Sequence, residues 1–402
     1  MPFAARSLDF AAAAALVLGA TGVLAAELPR ARPETVGMSA ERLERVSQYA
    51  ANLVATKQAA GVVTLIARRG RIVHLDATGL ADIESNEPMT TDAYFRFFSM
   101  TKPITSVALL MLYEEGKFQL SDPLAKYLPE FANVRVAAEG DSGDTTVEAV
   151  RAPTVLDAFR HTAGFSYEGG LYDSPSLAEL VRRLAARPLS YQPGTRWVYS
   201  FSHDVQARLV EVLSGQPFDA FVRDRILLPL GMTNVVVGIP ALLASRFPVT
   251  YGPAEGGGLV PSDIPEQTGY QQVAFGGSSL SGPVQDYTRF AQMLAGSGEL
   301  DGVRILSPKT VDLMATNHLP NGVEFPFAQG EGWGLGVRVV VDPVAAGNLT
   351  SAGTFGWSGA ASTHFIVDRE EELIALMMFQ YQPRDQRPRD EFETLVYQAI
   401  VD

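Results

Sequence analysis

Apolar positions recur every three to four residues after Ser39: Leu43, Val46, Ala50 and Leu53 mark one side of an amphipathic helix that Ser39 would cap. Two β-rich runs follow, Val62 to Ala67 and Ile72 to Leu75, and Arg69-Gly70 between them predicts a hairpin. Thr91 to Phe98 then leads into a long, mostly apolar run, Ile104 to Leu112, which predicts a buried helix ending at Gly116.

The middle of the chain alternates helical patterns with turns. Helices are expected over Val155 to His161, Leu177 to Ala186, Val205 to Leu213 and Phe218 to Leu227. The acidic stretch from Glu139 to Val150 predicts a surface loop, and the Gly- and Pro-rich stretch from Tyr251 to Tyr270 predicts a long one. Further helices are expected over Asp286 to Gly296 and Ser307 to Thr316, the second capped by Ser307 with Pro308 at its first position. Strand patterns return over Leu335 to Val341, Thr363 to Val367 and Leu373 to Phe379, the last two joined as a hairpin, before a helix over Glu391 to Val401. Strands at both ends around a helical middle predict an α+β fold whose sheet is assembled from both chain ends. The boundaries follow: a sheet unit over 27–98 and 275–402, and a mostly helical unit over 99–274.

Composition narrows the function. The 402 residues are 47% hydrophobic and 19% charged, the balance of a folded globular enzyme. A formal charge of −13 argues against a nucleic-acid partner, which would demand a basic footprint. The chain has no cysteine, which excludes disulfides, a thiol nucleophile and cysteine-ligated zinc. Residues 1–26 have the form of a secretory signal: Arg6, an apolar core from Phe10 to Leu24, and small residues at Ala25 and Ala26 for cleavage. Export to the periplasm or beyond is therefore expected, with no stable membrane anchor after cleavage.

The candidate chemistry starts at Ser99-Met100-Thr101-Lys102, just ahead of the apolar helix. Residues three apart share a helical face, so hydroxyl and amine can meet, near the positive end of the helix dipole. A serine becomes a nucleophile when a neighbouring base takes its proton, and a lysine serves as that base only in a dry or positively charged setting. The alternative is a serine cap and a lysine that reaches solvent. Of the five lysines, only Lys102 follows a serine at this spacing. Tyr199, just before another helix, could share a proton with Lys102, or could simply be a packed aromatic. Gly356-Trp357-Ser358-Gly359-Ala360 could leave backbone N–H groups open as an oxyanion hole, or could be a Gly-rich turn ahead of a strand.

Taken together, Ser99-x-x-Lys102, Tyr199-Ser200-Phe201 and Trp357-Ser358-Gly359 resemble, in order and approximate spacing, the serine β-lactamase and penicillin-binding-protein superfamily. They look most like class C β-lactamases and family VIII carboxylesterases. Flanking stretches agree: Arg160-His161-Thr162-Ala163-Gly164, Gln192-Pro193-Gly194 and Leu228-Pro229-Leu230-Gly231-Met232. The resemblance implies an antiparallel sheet flanked by helices, of β-lactamase/transpeptidase type, with the helical region inserted. It implies catalysis by Ser99, Lys102 and Tyr199, and an oxyanion and substrate site at Ala360, Trp357, Ser358, Gly359 and Phe201.

Two departures point to the substrate. Phe201 stands where class C enzymes have the Asn of Tyr-x-Asn, and Trp357 where they have the Lys of Lys-Thr-Gly. A site without that amide and ammonium favours a plain small-molecule ester over an anionic lactam. The expectation is a serine carboxylesterase for short acyl esters, without cofactor or metal. A β-lactamase or D-amino-acid peptidase, and a non-catalytic binding or sensor protein, are the competing readings. No Gly-x-Ser-x-Gly occurs, and His74, His161, His203, His318 and His364 are scattered without His-Glu-x-x-His. His161 is expected to fix a turn, and His364 to be an outward or structural residue of a strand.

Overall fold

The computed structural model describes residues 27–138, 145–262 and 273–402. The signal-like segment lies outside these residues, as do parts of the two stretches expected as loops.

The helix capped by Ser39 is α1 (Ala40–Ala55), with the Ser39 hydroxyl accepting from Arg42 N–H. Strands β1 (Gly61–Arg68), β2 (Arg71–Asp82) and β3 (Glu87–Pro88) come from the N-terminal part. Strands β4 (Glu331–Trp333), β5 (Arg338–Val340), β6 (Phe355–Ser358), β7 (His364–Asp368) and β8 (Leu373–Met378) come from the C-terminal part. They form one eight-stranded sheet in the order β4-β5-β6-β7-β8-β1-β2-β3. Every pairing is antiparallel, and β1 joins β8, with Val63 opposite Met378, to close the two chain ends into one sheet.

Both faces of the central strands are covered, which is why β1 and β8 are apolar at nearly every position. Side chains alternate across a strand. Val62 and Ile66, with Leu373, Ala375 and Met377, pack against α1 and the C-terminal helix α5 (Arg387–Tyr397). Val63, Leu65 and Ala67, with Ile374, Leu376 and Met378, face the larger core, which includes Tyr287 and Phe290 of α4 (Val284–Ala295).

At the centre of that core is α2 (Thr101–Glu114), whose residues Thr101 to Leu112 are all buried. Such a helix is held by burial on every side rather than by one apolar stripe, each large side chain contributing roughly 2 kcal/mol. It packs on α3 (Ser202–Ser214).

Four expectations need adjustment. Part of the stretch expected as a surface loop pairs instead: Thr146–Glu148 forms a short hairpin with Arg135–Ala137, since Val136 is buried against the helical layer and gives the pair an anchor. In the Gly- and Pro-rich stretch, Tyr251–Pro253 pairs with Leu259–Pro261. Of the Gly356–Ala360 stretch, for which a Gly-rich turn ahead of a strand was the alternative reading, Gly356, Trp357 and Ser358 are themselves part of a strand between β5 and β7. Finally, β4 was not anticipated: three residues are too few to show a period.

Candidate active site

Ser99 sits in a 3-10 turn, Phe98–Met100, that runs directly into α2. Its N–H is in the first turn, where a helix leaves donors without an intrahelical partner. The entry to this turn is strained. Phe98 has a φ of 46°, in the left-handed region that a residue with a large side chain rarely adopts. The strain is held by neighbours on both sides. Phe97 N–H donates to Leu280 O at 2.9 Å, and Phe97 O accepts from Thr363 Oγ1 at 3.3 Å. Below, Met100 O accepts from the buried Tyr287 hydroxyl at 2.8 Å.

Lys102 lies one turn further along and is only 1% exposed, so it does not reach solvent. Its Nζ donates to Ser99 Oγ at 3.1 Å and to Gly277 O at 2.9 Å. The Tyr199 ring covers it, with Nζ 4.5 Å from the ring centroid, and Tyr167 lies 5.9 Å off. Hydroxyl and amine, neighbours on one turn, and a phenol about a hundred residues further along the chain therefore share one site.

Tyr199 is delivered by two turns zipped together. Val198 N–H and the Tyr191 hydroxyl both donate to His161 O at 3.0 Å, and Gly194 N–H donates to Thr162 O at 2.8 Å. This is what the Arg160–Gly164 and Gln192–Gly194 stretches do. Asp157 anchors the first turn from below. Burial would raise its carboxyl, but Arg151 and Thr154 hydrogen bonds overcome that and hold it at about 2. His161 has a φ of 57° and is fully buried, with Nδ1 3.2 Å from Ser200 Oγ, which fits the expected turn-fixing role.

The third stretch comes in along β6. Trp357 points at the site: its indole N–H donates to Tyr199 Oη at 3.0 Å. Trp333, Phe325 and Phe327 pack around that indole at centroid distances of 4.6, 6.4 and 6.2 Å. Gly359 then passes so close to the Ser99 turn that a Cβ would lie 2.5 Å from Phe97 O and 2.1 Å from Thr363 Oγ1. Glycine is needed there by contact, and the approach brings the exposed Ala360 alongside the serine turn.

Two expected site residues face elsewhere. Ser358 alternates with Trp357 along β6, so its hydroxyl lies on the other face, 2.9 Å from His364 Nδ1. Phe201 is fully buried behind Tyr167 and Tyr172, at 4.6 and 5.1 Å between ring centroids, and backs the pocket without surfacing in it. His364 is structural. It is buried and bonded to Glu393, which with Glu331 also holds the buried Arg338. Burial, stronger here than the Glu393 bond, lowers His364 to about 4.

Asp204 and Gly277 escaped the sequence reading, although both touch the Lys102 environment. The signals were an acid in the first turn of an amphipathic helix and a Gly276-Gly277 pair.

The Beta-lactamase family model matches residues 46–398. The chain is 32% identical to Esterase EstB of Burkholderia gladioli over 379 residues, covering 84% of this chain and 90% of that protein. It is 26% identical to a putative D-alanyl-D-alanine carboxypeptidase of Escherichia coli K12, over 87% and 85% of the two chains. Among solved structures, EstCE1, described as a hydrolase with promiscuous acyltransferase activity, superposes with a TM-score of 0.75 at 24% identity, over 89% and 99% of the two chains.

Proposed function

The chain belongs to the Beta-lactamase family and is a serine hydrolase of that superfamily, and from this premise we propose that it is a carboxylesterase cleaving short acyl esters through an acyl-enzyme on Ser99. The observation that carries the reading is the 3.0 Å bond from Trp357 Nε1 to Tyr199 Oη. An indole occupies the place of the lysine in the lactamase-like motif. It spends its one donor on the phenol, so it offers a lactam carboxylate nothing to bind. The relative named as an esterase supports the same choice.

In the first step, Ser99 Oγ adds to the ester carbonyl carbon while its proton passes to the Lys102–Tyr199 pair. The two groups act as one coupled unit, because the amine lies against the phenol ring. The carbonyl oxygen becomes an oxyanion facing the N–H groups of Ser99 and Ala360. Collapse breaks the bond to the alcohol oxygen, which takes the proton from the pair. Water then adds to the acyl-serine, giving its proton to the same pair, and Ser99 leaves with that proton as the acid is released. The substrate is a small neutral ester, and the N-terminal segment supports action outside the cytoplasm.

Turnover of p-nitrophenyl acetate and butyrate, measured beside a chromogenic cephalosporin, tests this. Ester turnover with little or no lactam hydrolysis is expected. Rapid cephalosporin hydrolysis with inert esters would overturn it in favour of a lactamase.

A further inference from the structure

Asp204 is fully buried in the first turn of α3. Its Oδ1 accepts from Gly277 N–H at 3.1 Å, and the carbonyl of that same residue accepts from Lys102 Nζ at 2.9 Å. Nζ in turn donates to Ser99 Oγ. A single glycine thus links the acid to the amine. The other oxygen, Oδ2, is buried without a hydrogen-bond partner. Leaving a buried carboxylate oxygen bare is costly unless an opposite charge faces it. A methyl group on Gly277 would lie 3.0 Å from Oδ2 and 3.4 Å from Lys102 Nζ. The bare side of the glycine is therefore the window through which the acid and the amine face each other.

We propose that Asp204 is a positioning residue of the hydrolase: through Gly277 it holds the Lys102 amine against Ser99, and its carboxylate is the counter-charge the amine faces during proton transfer. The proposal rests on the Ser99 ester chemistry argued above. It explains why an acid survives in an interior built of α2, α3 and the Gly276-Gly277 turn. The groups around it are few. Lys102 comes from α2, with the Tyr199 ring on the amine's far side. His203 on α3 and His161 in its turn are both held well below the usual imidazole range, chiefly by burial. Burial pushes the Asp204 carboxyl up to about 6, against the pull of Lys102 and Gly277 N–H. The counter-charge is therefore lost on the acid side of neutrality.

Asp204→Asn keeps an oxygen for Gly277 N–H and removes the charge. With p-nitrophenyl butyrate, kcat/KM should fall by about 50-fold or more, nearly all in kcat. The wild-type acid limb near pH 6 should move or vanish, while the melting temperature holds or rises. Activity within about threefold of wild type, with the same acid limb, overturns the proposal. Should Asp204→Asn fail to melt cooperatively, Gly277→Ala tests the link from the other side, since Gly277 does not use a left-handed backbone. A comparable loss of kcat in that folded variant is expected, and wild-type kcat overturns the proposal. Wild-type protein without ester turnover that depends on Ser99 would instead remove the underlying esterase reading.

Discussion

The indole N–H of Trp357 donates to the phenol oxygen of Tyr199 at 3.0 Å, from a strand on the far side of the pocket. This contact fixes the phenol from above while the Lys102 amine lies under its ring. Trp357→Phe would keep the ring against Trp333 and delete only the donor. One neutral hydrogen bond is worth about 1 kcal/mol. A kcat on p-nitrophenyl butyrate lowered about fivefold is expected, with a smaller change in KM. An unchanged kcat would mean that the indole only packs.

Ser99 is half-buried, and among the described residues its side chain accepts a hydrogen bond from Lys102. Ser99→Ala should therefore abolish ester turnover while shifting the melting temperature by no more than about 2 °C. Intact-protein mass spectrometry after a fluorophosphonate should find one adduct on wild type and none on the variant. An adduct of equal yield on the variant would assign the nucleophile elsewhere.

The convergence of Ser99, Lys102 and Tyr199 was legible because each is tied to a local pattern. A long, mostly apolar helix follows the first two, and paired turns precede the third. What the sequence could not show was facing. Trp357 and Ser358 are adjacent on β6, and only the register with β7, Ser358 opposite His364, decides which of them meets Tyr199. Phe201 was placed in the pocket by its spacing from Tyr199, yet Tyr167 and Tyr172 stand in front of it, and neither belongs to a motif. Asp204 meets Gly277 across 73 positions of chain, a distance at which no local period can speak. The sheet built from both chain ends was legible for the opposite reason: β1 and β8 are apolar on both faces, which only a covered central strand tolerates.

Behind β6, Arg338 is buried between Glu331 and Glu393, and Glu393 also bonds His364. Removing one partner of a buried ion pair leaves charge uncompensated, at a cost of about 3–5 kcal/mol. Glu393→Gln should lose about that much in urea unfolding, while the ester kcat of the folded fraction stays near wild type because this network is on the opposite face from Tyr199. Equal loss of stability and kcat would show that the two faces are coupled.

The same face gives stability a pH dependence, and Asp204 opposes it. Burial lowers His364 to about 4, so between the ordinary imidazole range and pH 4 the unfolded chain takes up a proton that the native state refuses. That stability is fully present above about pH 6.5 and drains away as pH falls towards 4. Burial raises Asp204 to about 6, so the native state keeps a proton that the unfolded chain has released. That contribution is fully present below about pH 4 and is lost as pH rises to 6. Each is on the order of 3 kcal/mol, and His161 and His203, also buried and held well below the imidazole range, add to the His364 side, so wild-type stability still rises with pH across this window. Asp204→Asn should steepen that rise in the urea midpoint between about pH 4.5 and 6.5. His364→Gln should flatten that rise over the same range. Slopes equal to wild type in both variants would mean that neither group titrates as its surroundings require.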